Sequence, residues 1–276
     1  MPTISANGLQ FSYLAAGPED GPLALLLHGF PDTAYSWSDV LPRLAERGLR
    51  AVAPFMRGYH PTAVPASGDY SVLTLGRDAV ALIEALGRER AIVIGHDWGA
   101  YAAYAAASLR PDRVSKLVTV AIPHPRVVRP RYLTPRRIYR ARHFFDLRRP
   151  RAAAWLGRPG SLETIYRRWS PTWAFPPAEL DAIRACFAVP AAVDAALGYY
   201  RALPLLGPDK QLLAKTTVPS LTVYGADDGV ADAALFEAAR ESFMAPHTLV
   251  AIPRAGHFVH REQPELFARE LLPFLA

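Results

Sequence analysis

Cysteine and lysine are scarce in this sequence of 276 residues. Cys186 is the only cysteine, which excludes an internal disulfide and argues against a zinc or iron–sulfur site built from cysteines. We therefore expect a reducing, cytoplasmic setting, no metal and no other cofactor. All but three of the 31 basic side chains are arginine, beside abundant alanine and proline. That composition indicates a biased codon supply, so the net charge of +6 does not by itself predict a nucleic-acid partner.

Long apolar runs are also missing. The longest uncharged, mostly apolar stretch is residues 99–109, far below the roughly 20 residues that a membrane-spanning helix needs. The first seven residues show no basic run followed by an apolar run, so we expect neither a membrane span nor a signal peptide. Ten arginines do fall between Arg126 and Arg151, which leaves a phosphate-binding surface as an alternative. Prolines interrupt that run, and no nucleic-acid motif accompanies it.

The sequence alternates short apolar runs with longer helical patterns. Runs rich in leucine and β-branched residues predict strands over 23–28, 49–54, 91–95, 116–122, 220–225 and 248–252. Most are apolar on both faces, as strands of a parallel sheet covered on both sides must be. Apolar spacing and composition predict helices over 75–86, 100–109 and 263–274. The predicted fold class is therefore α/β, with a doubly wound, mostly parallel sheet.

The alternation stops in the middle of the chain. Residues 124–212 contain no convincing strand, but they hold three of the five tryptophans and five of the twelve tyrosines. We interpret this stretch as an inserted helical cap, and residues 1–123 and 213–276 as the core that carries it. The aromatic residues would form a second small core or line a pocket at the seam, where ligand sites are common.

The most informative motif joins a predicted strand to a predicted helix. Gly95 and Gly99 flank the centre of the motif Gly-His-Asp-Trp-Gly, a pattern typical of a nucleophile elbow. Asp97 stands at the centre in place of serine or cysteine. A carboxylate is ionised at pH 7 and needs no base to activate it. It is suited to displacement at an sp³ carbon, which gives an alkyl-enzyme ester. The alternative is a surface aspartate that caps a helix.

Two further residues complete the chain order of nucleophile, acid and histidine. His257 comes just after the last predicted strand, and Asp228 lies at the end of the strand before it. Open α/β sheets place their sites at such strand ends. Asp227 is the alternative to Asp228, which we prefer for its G-x-x-D spacing from Gly225. We expect Asp228 to orient His257, and His257 to activate water.

The motif His-Gly-Phe-Pro at residues 28–31 directly follows a predicted strand. At this place the turn supplies one N–H of an oxyanion hole, and the residue after the nucleophile supplies the other. These would be the backbone groups of Phe30 and Trp98. A simple tight turn is the alternative.

Together these motifs make the sequence similar to the α/β-hydrolase superfamily, and within it to the epoxide hydrolases. The resemblance covers about residues 4–276, and it includes Arg-Gly-Tyr at residues 57–59 and Ala-Gly-His at residues 255–257. It implies an α/β-hydrolase core with a helical cap. It also implies the Asp-nucleophile chemistry that haloalkane and haloacid dehalogenases share, so the motifs do not separate these reactions.

Epoxide hydrolysis and dehalogenation differ in what the leaving group needs. An epoxide oxygen leaves as an alkoxide and needs a proton donor, whereas a halide needs no proton. The resemblance implies two cap tyrosines as donors, and Tyr200, just before Arg201, matches the second of them. A packed aromatic residue is the alternative for Tyr200. For the first donor, an ungapped match places Ala141 where the family has tyrosine. His143 is the preferred substitute, and Tyr139 is the runner-up.

The resemblance implies an enzyme that hydrolyses a small apolar epoxide to a vicinal diol. An ester would form on Asp97, and water activated by His257 would cleave it. A dehalogenase that uses the same Asp97 is the alternative. A non-catalytic ligand receptor is a further alternative, against which the complete set of Asp97, His257 and Asp228 argues. The identity of the epoxide stays open, as does the choice between monomer and homodimer.

Overall fold

The computed structural model describes residues 1–129, 132, 134–204 and 208–276, and its centre is a sheet. The strands are Thr3–Ala6 (β1), Leu9–Ala16 (β2), Leu23–Leu27 (β3), Arg50–Pro54 (β4), Ala91–His96 (β5), Val114–Val120 (β6), Ser220–Gly225 (β7) and His247–Ile252 (β8). Their order across the sheet is β1-β2-β4-β3-β5-β6-β7-β8. The β1–β2 and β2–β4 pairs are antiparallel, and the other neighbours are parallel. The predicted mostly parallel sheet is confirmed.

All six predicted strands form, as β3 to β8, and their ends differ from the prediction by at most two residues. Every residue of β3, β5 and β7 is buried, because the sheet is covered on both faces. The β1–β2 hairpin was not predicted. Asn7 and Gly8 at its turn have positive φ angles of 45° and 72°. An Asn-Gly pair between two short strands is a hairpin signal, and it is independent of the apolar runs that predict the other strands.

Helices follow most of the strands. The α-helices are Val40–Ala45 (α1), Val72–Ala85 (α2), Trp98–Leu109 (α3), Pro135–Arg140 (α4), His143–Asp146 (α5), Ala152–Leu156 (α6), Ser161–Trp169 (α7), Asp181–Phe187 (α8), Pro190–Ala202 (α9), Ala233–Ala239 (α10), Val259–Glu262 (α11) and Pro264–Leu275 (α12). The three predicted helices are confirmed as α2, α3 and α12. Helix α2 begins earlier than predicted because Ser71 caps it and accepts the N–H of Thr74.

Small side chains position helix α3 close to the sheet. Its sequence is rich in alanine, most of its residues are buried, and it contacts β3, β5 and β6. It also packs along α2, while α1 packs against α12. Close packing of this kind needs side chains without bulk. The amino end of α3 therefore lies directly at the carboxyl end of β5.

The segment between β6 and β7 is helical. Its described residues form α4 to α9 and contain no strand. Tyr199 of α9 links this segment to the loop after β4, since its hydroxyl donates to the carbonyl of Arg57 at 2.8 Å. The boundaries of the cap at 124–212 stay a prediction. Within the described part of the chain, no helix has the length and apolar character to cross a membrane.

Candidate active site

A strained turn presents Asp97 between β5 and α3. Its φ of 51° lies in the region that favours glycine. The turn is also very tight. A Cβ on Gly95 would lie 2.1 Å from the carbonyl oxygen of Gly99, and a Cβ on Gly99 would lie 2.1 Å from that of Leu27. Only glycine fits at these two positions, which is the physical reason for the spacing of the motif.

Two neighbours hold the Asp97 carboxylate. The backbone N–H of Phe30 donates to Oδ1 at 2.9 Å, and Nε2 of His257 lies 3.3 Å from Oδ2. Burial alone would raise the pKa of Asp97, but the hydrogen bond and charge of His257 lower it below its ordinary value. The carboxylate is therefore ionised at neutral pH and is ready to attack without a base.

Asp228 is the acid that contacts the histidine. Its Oδ2 lies 3.1 Å from Nδ1 of His257, and its Oδ1 accepts the backbone N–H groups of Val230 at 2.6 Å and Ala231 at 3.2 Å. Asp228 is buried, whereas Asp227 is exposed. The structure thus brings Asp228 against His257 and leaves Asp227 in the turn.

His257 lies between two carboxylates. Burial alone would lower the pKa of His257, but Asp228 and Asp97 raise it to about 10. The imidazole is therefore protonated at neutral pH while Asp97 is ionised. If Asp97 became a neutral ester, one of these two charges would vanish and the pKa of His257 would fall. The arrangement can thus supply a base only after the ester has formed.

The loop that carries His257 has support that the sequence did not reveal. The N–H of His257 points to Oγ of Ser170 at 2.9 Å and to the carbonyl of Trp169 at 3.1 Å. Ser170 donates to Glu262 at 2.5 Å, and Glu262 also accepts the N–H of Gly256 at 2.8 Å. Ser170 and Glu262 lie outside every motif of the sequence, and their contacts join distant parts of the chain. We found no local signal that would have identified them.

Tyr200 extends from α9 toward Asp97. Its ring makes edge contacts with Trp98 at 5.0 Å and Phe30 at 5.1 Å between ring centres. Its hydroxyl is buried beside these rings, and it forms no hydrogen bond of ordinary geometry within the described part of the chain. Burial and the charge of Asp97 raise the pKa of Tyr200 well above its ordinary value. The phenol therefore keeps its proton, which is what a donor to a leaving oxygen requires.

His143 lies at the site, and its role as a donor stays a prediction. The side chain does reach the site, where its ring lies 4.9 Å from Trp169 and 6.2 Å from Tyr200. However, Nδ1 lies 3.2 Å from the carbonyl oxygen of Arg140, which only a protonated nitrogen can satisfy. Burial lowers the pKa of His143 to about 3, so the ring is neutral. In this tautomer its Nε2 carries a lone pair and can accept a hydrogen bond.

The structure does not bring Tyr139 into the site. Its side chain is 64% exposed, and the guanidinium of Arg142 lies 3.8 Å from the centre of its ring. Tyr139 belongs to α4, whereas His143 begins α5 after a break at Ala141 and Arg142. The break lets His143 turn inward while Tyr139 stays outside. The prediction of Tyr139 as the alternative donor is therefore corrected.

Phe30 and Trp98, the predicted oxyanion donors, both lie next to Asp97. The N–H of Phe30 already contacts Asp97, and the Phe30–Pro31 peptide bond is cis. Trp98 is the first residue of α3, and the first N–H groups of a helix have no acceptor inside the helix. Both groups are available to an oxygen that develops negative charge on the Asp97 carbonyl.

Comparisons with known proteins agree with this geometry. Residues 22–264 match the family model described as alpha/beta hydrolase fold. The chain is 31% identical to the AB hydrolase superfamily protein YfhM of Bacillus subtilis, over 99% of this chain and 96% of that protein. It is 29% identical to epoxide hydrolase A of Mycobacterium tuberculosis, over 99% of this chain and 96% of that protein.

Solved structures give the same picture. A crystal structure of epoxide hydrolase A from Mycobacterium thermoresistibile matches with a TM-score of 0.79 and 27% identity, over 99% of this chain and 97% of that chain. An epoxide hydrolase from Vigna radiata matches with a TM-score of 0.84 and 27% identity, over 99% of this chain and 96% of that chain. The similarity thus spans both the sheet and the helical segment above it.

Proposed function

The chain belongs to the α/β-hydrolase family and resembles its epoxide hydrolases, and we propose that it hydrolyses a small apolar epoxide to a vicinal diol. The observation that carries this proposal is the buried Tyr200 hydroxyl, whose ring contacts Trp98 and Phe30 on either side of Asp97. An epoxide oxygen leaves as an alkoxide and needs a proton donor. A halide needs none, so the buried phenol favours the epoxide over the halide.

In the first step a carboxylate oxygen of Asp97 attacks a ring carbon. The C–O bond of the epoxide breaks, its electron pair moves to the oxygen, and Tyr200 donates its proton there. Asp97 becomes a neutral ester, which lowers the pKa of His257 and releases the imidazole proton. That proton restores the Tyr200 phenol through solvent, and His257 is left as a neutral base.

In the second step His257 takes a proton from water, and the resulting hydroxide attacks the ester carbon of Asp97. The N–H groups of Phe30 and Trp98 stabilise the tetrahedral oxyanion, and one such donor typically contributes about 2.7–4 kcal/mol. When this state collapses, the ester C–O bond breaks and the diol leaves with a proton. Asp97 regains its charge and His257 its proton, held by Asp228.

His143 takes a different part in this scheme. Its Nε2 is an acceptor, so the described cap offers one phenolic donor, Tyr200, where related enzymes were expected to use two. We propose that Nε2 of His143 orients a hydroxyl or water in the pocket. Alkylation then depends on Tyr200 alone for its proton.

A single-turnover experiment in ¹⁸O-labelled water tests this function. Excess enzyme is mixed with terminal, aliphatic and aryl epoxides, and in parallel with haloalkanes and fluoroacetate. We expect a diol from epoxides, with the label of the first turnover in the peptide that contains Asp97. Label that enters the diol directly would contradict the ester. Halide release without any diol would assign the site to a dehalogenase.

A further inference from the structure

A second cluster of polar side chains lies behind the catalytic histidine. Asp32 follows the turn after β3, His96 is the last residue of β5, and His260 lies in α11. All three side chains are buried. One nitrogen or oxygen atom from each lies within 4.8 Å of the atoms of the other two. None of the three contacts the Asp97 carboxylate through a hydrogen bond within the described part of the chain.

The hydrogen bond of His96 fixes its tautomer. Its Nε2 lies 3.0 Å from the carbonyl oxygen of His257, so this nitrogen must carry the proton and donate it. In the neutral ring, Nδ1 then carries a lone pair. That nitrogen is buried and has no hydrogen-bond partner among the residues described. A buried lone pair without a partner needs a proton donor or a cation.

A short chain of hydrogen bonds gives His260 the same tautomer. Its Nε2 lies 2.6 Å from the hydroxyl oxygen of Ser36, and that hydroxyl also bonds the carboxylate of Asp32. When the Asp32 carboxylate is ionised, as a metal ligand must be, it only accepts, so Ser36 donates to Asp32 and accepts from His260. Nδ1 of His260 therefore carries a lone pair, and it too is buried without a partner in the described structure. Trp37 stacks on this ring at 4.4 Å and holds its orientation.

We propose that Asp32, His96 and His260 form a structural binding site for a divalent transition metal, with zinc as the first choice. Two imidazole nitrogens and one carboxylate are ligands that zinc takes in proteins. Zinc holds such atoms at about 2.0–2.2 Å, so the three side chains would move closer together around an ion than they lie now. The outer N–H of His96 binds a backbone carbonyl, as that of a metal-bound histidine usually does, and the outer N–H of His260 binds the hydroxyl of Ser36.

The proposed ion would hold the catalytic loop. A metal on Nδ1 of His96 makes the opposite N–H a stronger donor, and that N–H binds the backbone carbonyl of His257. The ion would also join the turn after β3, the end of β5 and α11, which are far apart in the chain. This inference concerns the position of the His257 backbone and does not depend on which substrate the site takes. The lack of cysteines does not bear on it, because no ligand is a thiolate.

Metal content after refolding tests the proposal. The full chain without a histidine tag is stripped with EDTA, unfolded in guanidinium, and refolded with or without zinc chloride. Gel filtration removes free ions, and mass spectrometry of the metal counts what remains. We expect one zinc per chain and a higher melting temperature with zinc. Magnesium, which prefers oxygen ligands, should not be retained.

Variants identify the ligands. His260→Gln and Asp32→Asn keep the size of each side chain but weaken its ligation, so zinc affinity should fall by more than the ~10–100-fold that losing an outer partner costs. His247→Gln is the matched control, because His247 bonds Thr222 and stacks on Phe243 outside the cluster. This control should retain as much zinc per chain as the wild type. Circular dichroism confirms that each variant has folded.

Two outcomes would overturn the proposal. One is wild-type protein that retains no zinc after refolding. The other is zinc that stays bound in both His260→Gln and Asp32→Asn, or that is lost equally in His247→Gln. If both cluster variants fail to fold, cobalt replaces zinc in the wild type. A visible cobalt spectrum of a four-coordinate nitrogen and oxygen site supports the proposal, and the spectrum of hydrated cobalt ends it.

Discussion

The core and the cap reach Asp97 by different kinds of contact. In the core, hydrogen bonds of 2.9 and 3.3 Å join its carboxylate to Phe30 and His257. From the cap, Tyr200 makes ring contacts with Phe30 and Trp98, which flank Asp97, and His143 makes a ring contact with Tyr200. In the proposed mechanism, the core thus supplies the nucleophile and the base, and the cap supplies the proton donor for the leaving oxygen.

This division makes the two regions separable by mutation. A change in the core should stop a covalent step for every substrate, because in the proposed mechanism Asp97 forms the ester and His257 activates the water that cleaves it. The effect of a change in the cap should depend on the leaving group, because the proposed role of Tyr200 is to protonate a leaving oxygen. The predictions below test this difference, beginning with the core.

The largest effect is expected from Asp97→Ala. The change removes the attacking group, and we expect epoxide turnover to fall by about 10⁴-fold or more. Binding of a diol or amide inhibitor should stay close to that of the wild type, since the aromatic enclosure is intact. Steady-state kinetics and inhibitor titration measure the two effects. Activity within about tenfold of the wild type, or 1.4 kcal/mol, would mean that the nucleophile lies elsewhere.

His257→Gln should separate the two covalent steps. Asp97 needs no base for its attack, so the ester should still form, but no imidazole is left to activate water for its cleavage. We expect each enzyme molecule to react with one molecule of substrate, after which turnover stops. The mass of the intact protein should rise by the mass of the substrate. An equal loss of both steps, with no adduct, would contradict the two-step scheme.

Tyr200→Phe tests the contribution of the cap. We expect alkylation by an epoxide to slow by about 10²–10⁴-fold, the usual range for general-acid help. Tyr199→Phe is the matched control, because its hydroxyl donates to the carbonyl of Arg57 and serves packing. Rapid-quench measurement of the ester gives the rate. A Tyr200→Phe enzyme that alkylates at the wild-type rate would move the assignment to a dehalogenase, for which Trp98→Phe should then matter more.

The core could be predicted from the sequence because its signals are local. Asp97, Asp228 and His257 each follow an apolar strand by a few residues, and parallel strands bring their carboxyl ends to one edge of the sheet. The two glycines of the elbow also mark the position of this turn in the sequence, since no other residue fits there. The fold class, and the turn that holds Asp97 between β5 and α3, could therefore be predicted from the sequence.

The cap and the supporting contacts could not be predicted in the same way. Tyr139 and His143 are one helical turn apart, so their spacing places them on one face of a continuous helix. The break between α4 and α5 sends them to opposite environments, and no turn residue such as glycine or proline announces it. Ser170 and Glu262 meet across 92 positions of the chain, which only tertiary packing determines.

The charge of Asp97 should set the proton affinity of His257. Asp97→Asn is neutral, like the ester, so we expect the pKa of His257 to fall from about 10 by about 1–3 units. Because this pKa is raised in the fold, its contribution to stability is full below pH 6.5 and is lost as the pH rises through about 10. The variant should lose part of that contribution. Imidazole NMR titration measures the shift, and an unchanged pKa would contradict the coupling.

The smallest effect is expected from Tyr139→Phe. Tyr139 is largely exposed and stacks with Arg142, so we expect activity within about twofold of the parent, in the wild type and in Tyr200→Phe alike.

His143→Ala in the Tyr200→Phe background is the sharper comparison. Two donors to one oxygen are coupled, so a second donor would show its full effect only after Tyr200 is gone. Since Nε2 of His143 carries a lone pair, this double variant should alkylate within about tenfold of Tyr200→Phe, a loss below the general-acid range. A loss of most of the remaining activity would mean that His143 donates and that its ring binds a proton in the substrate complex.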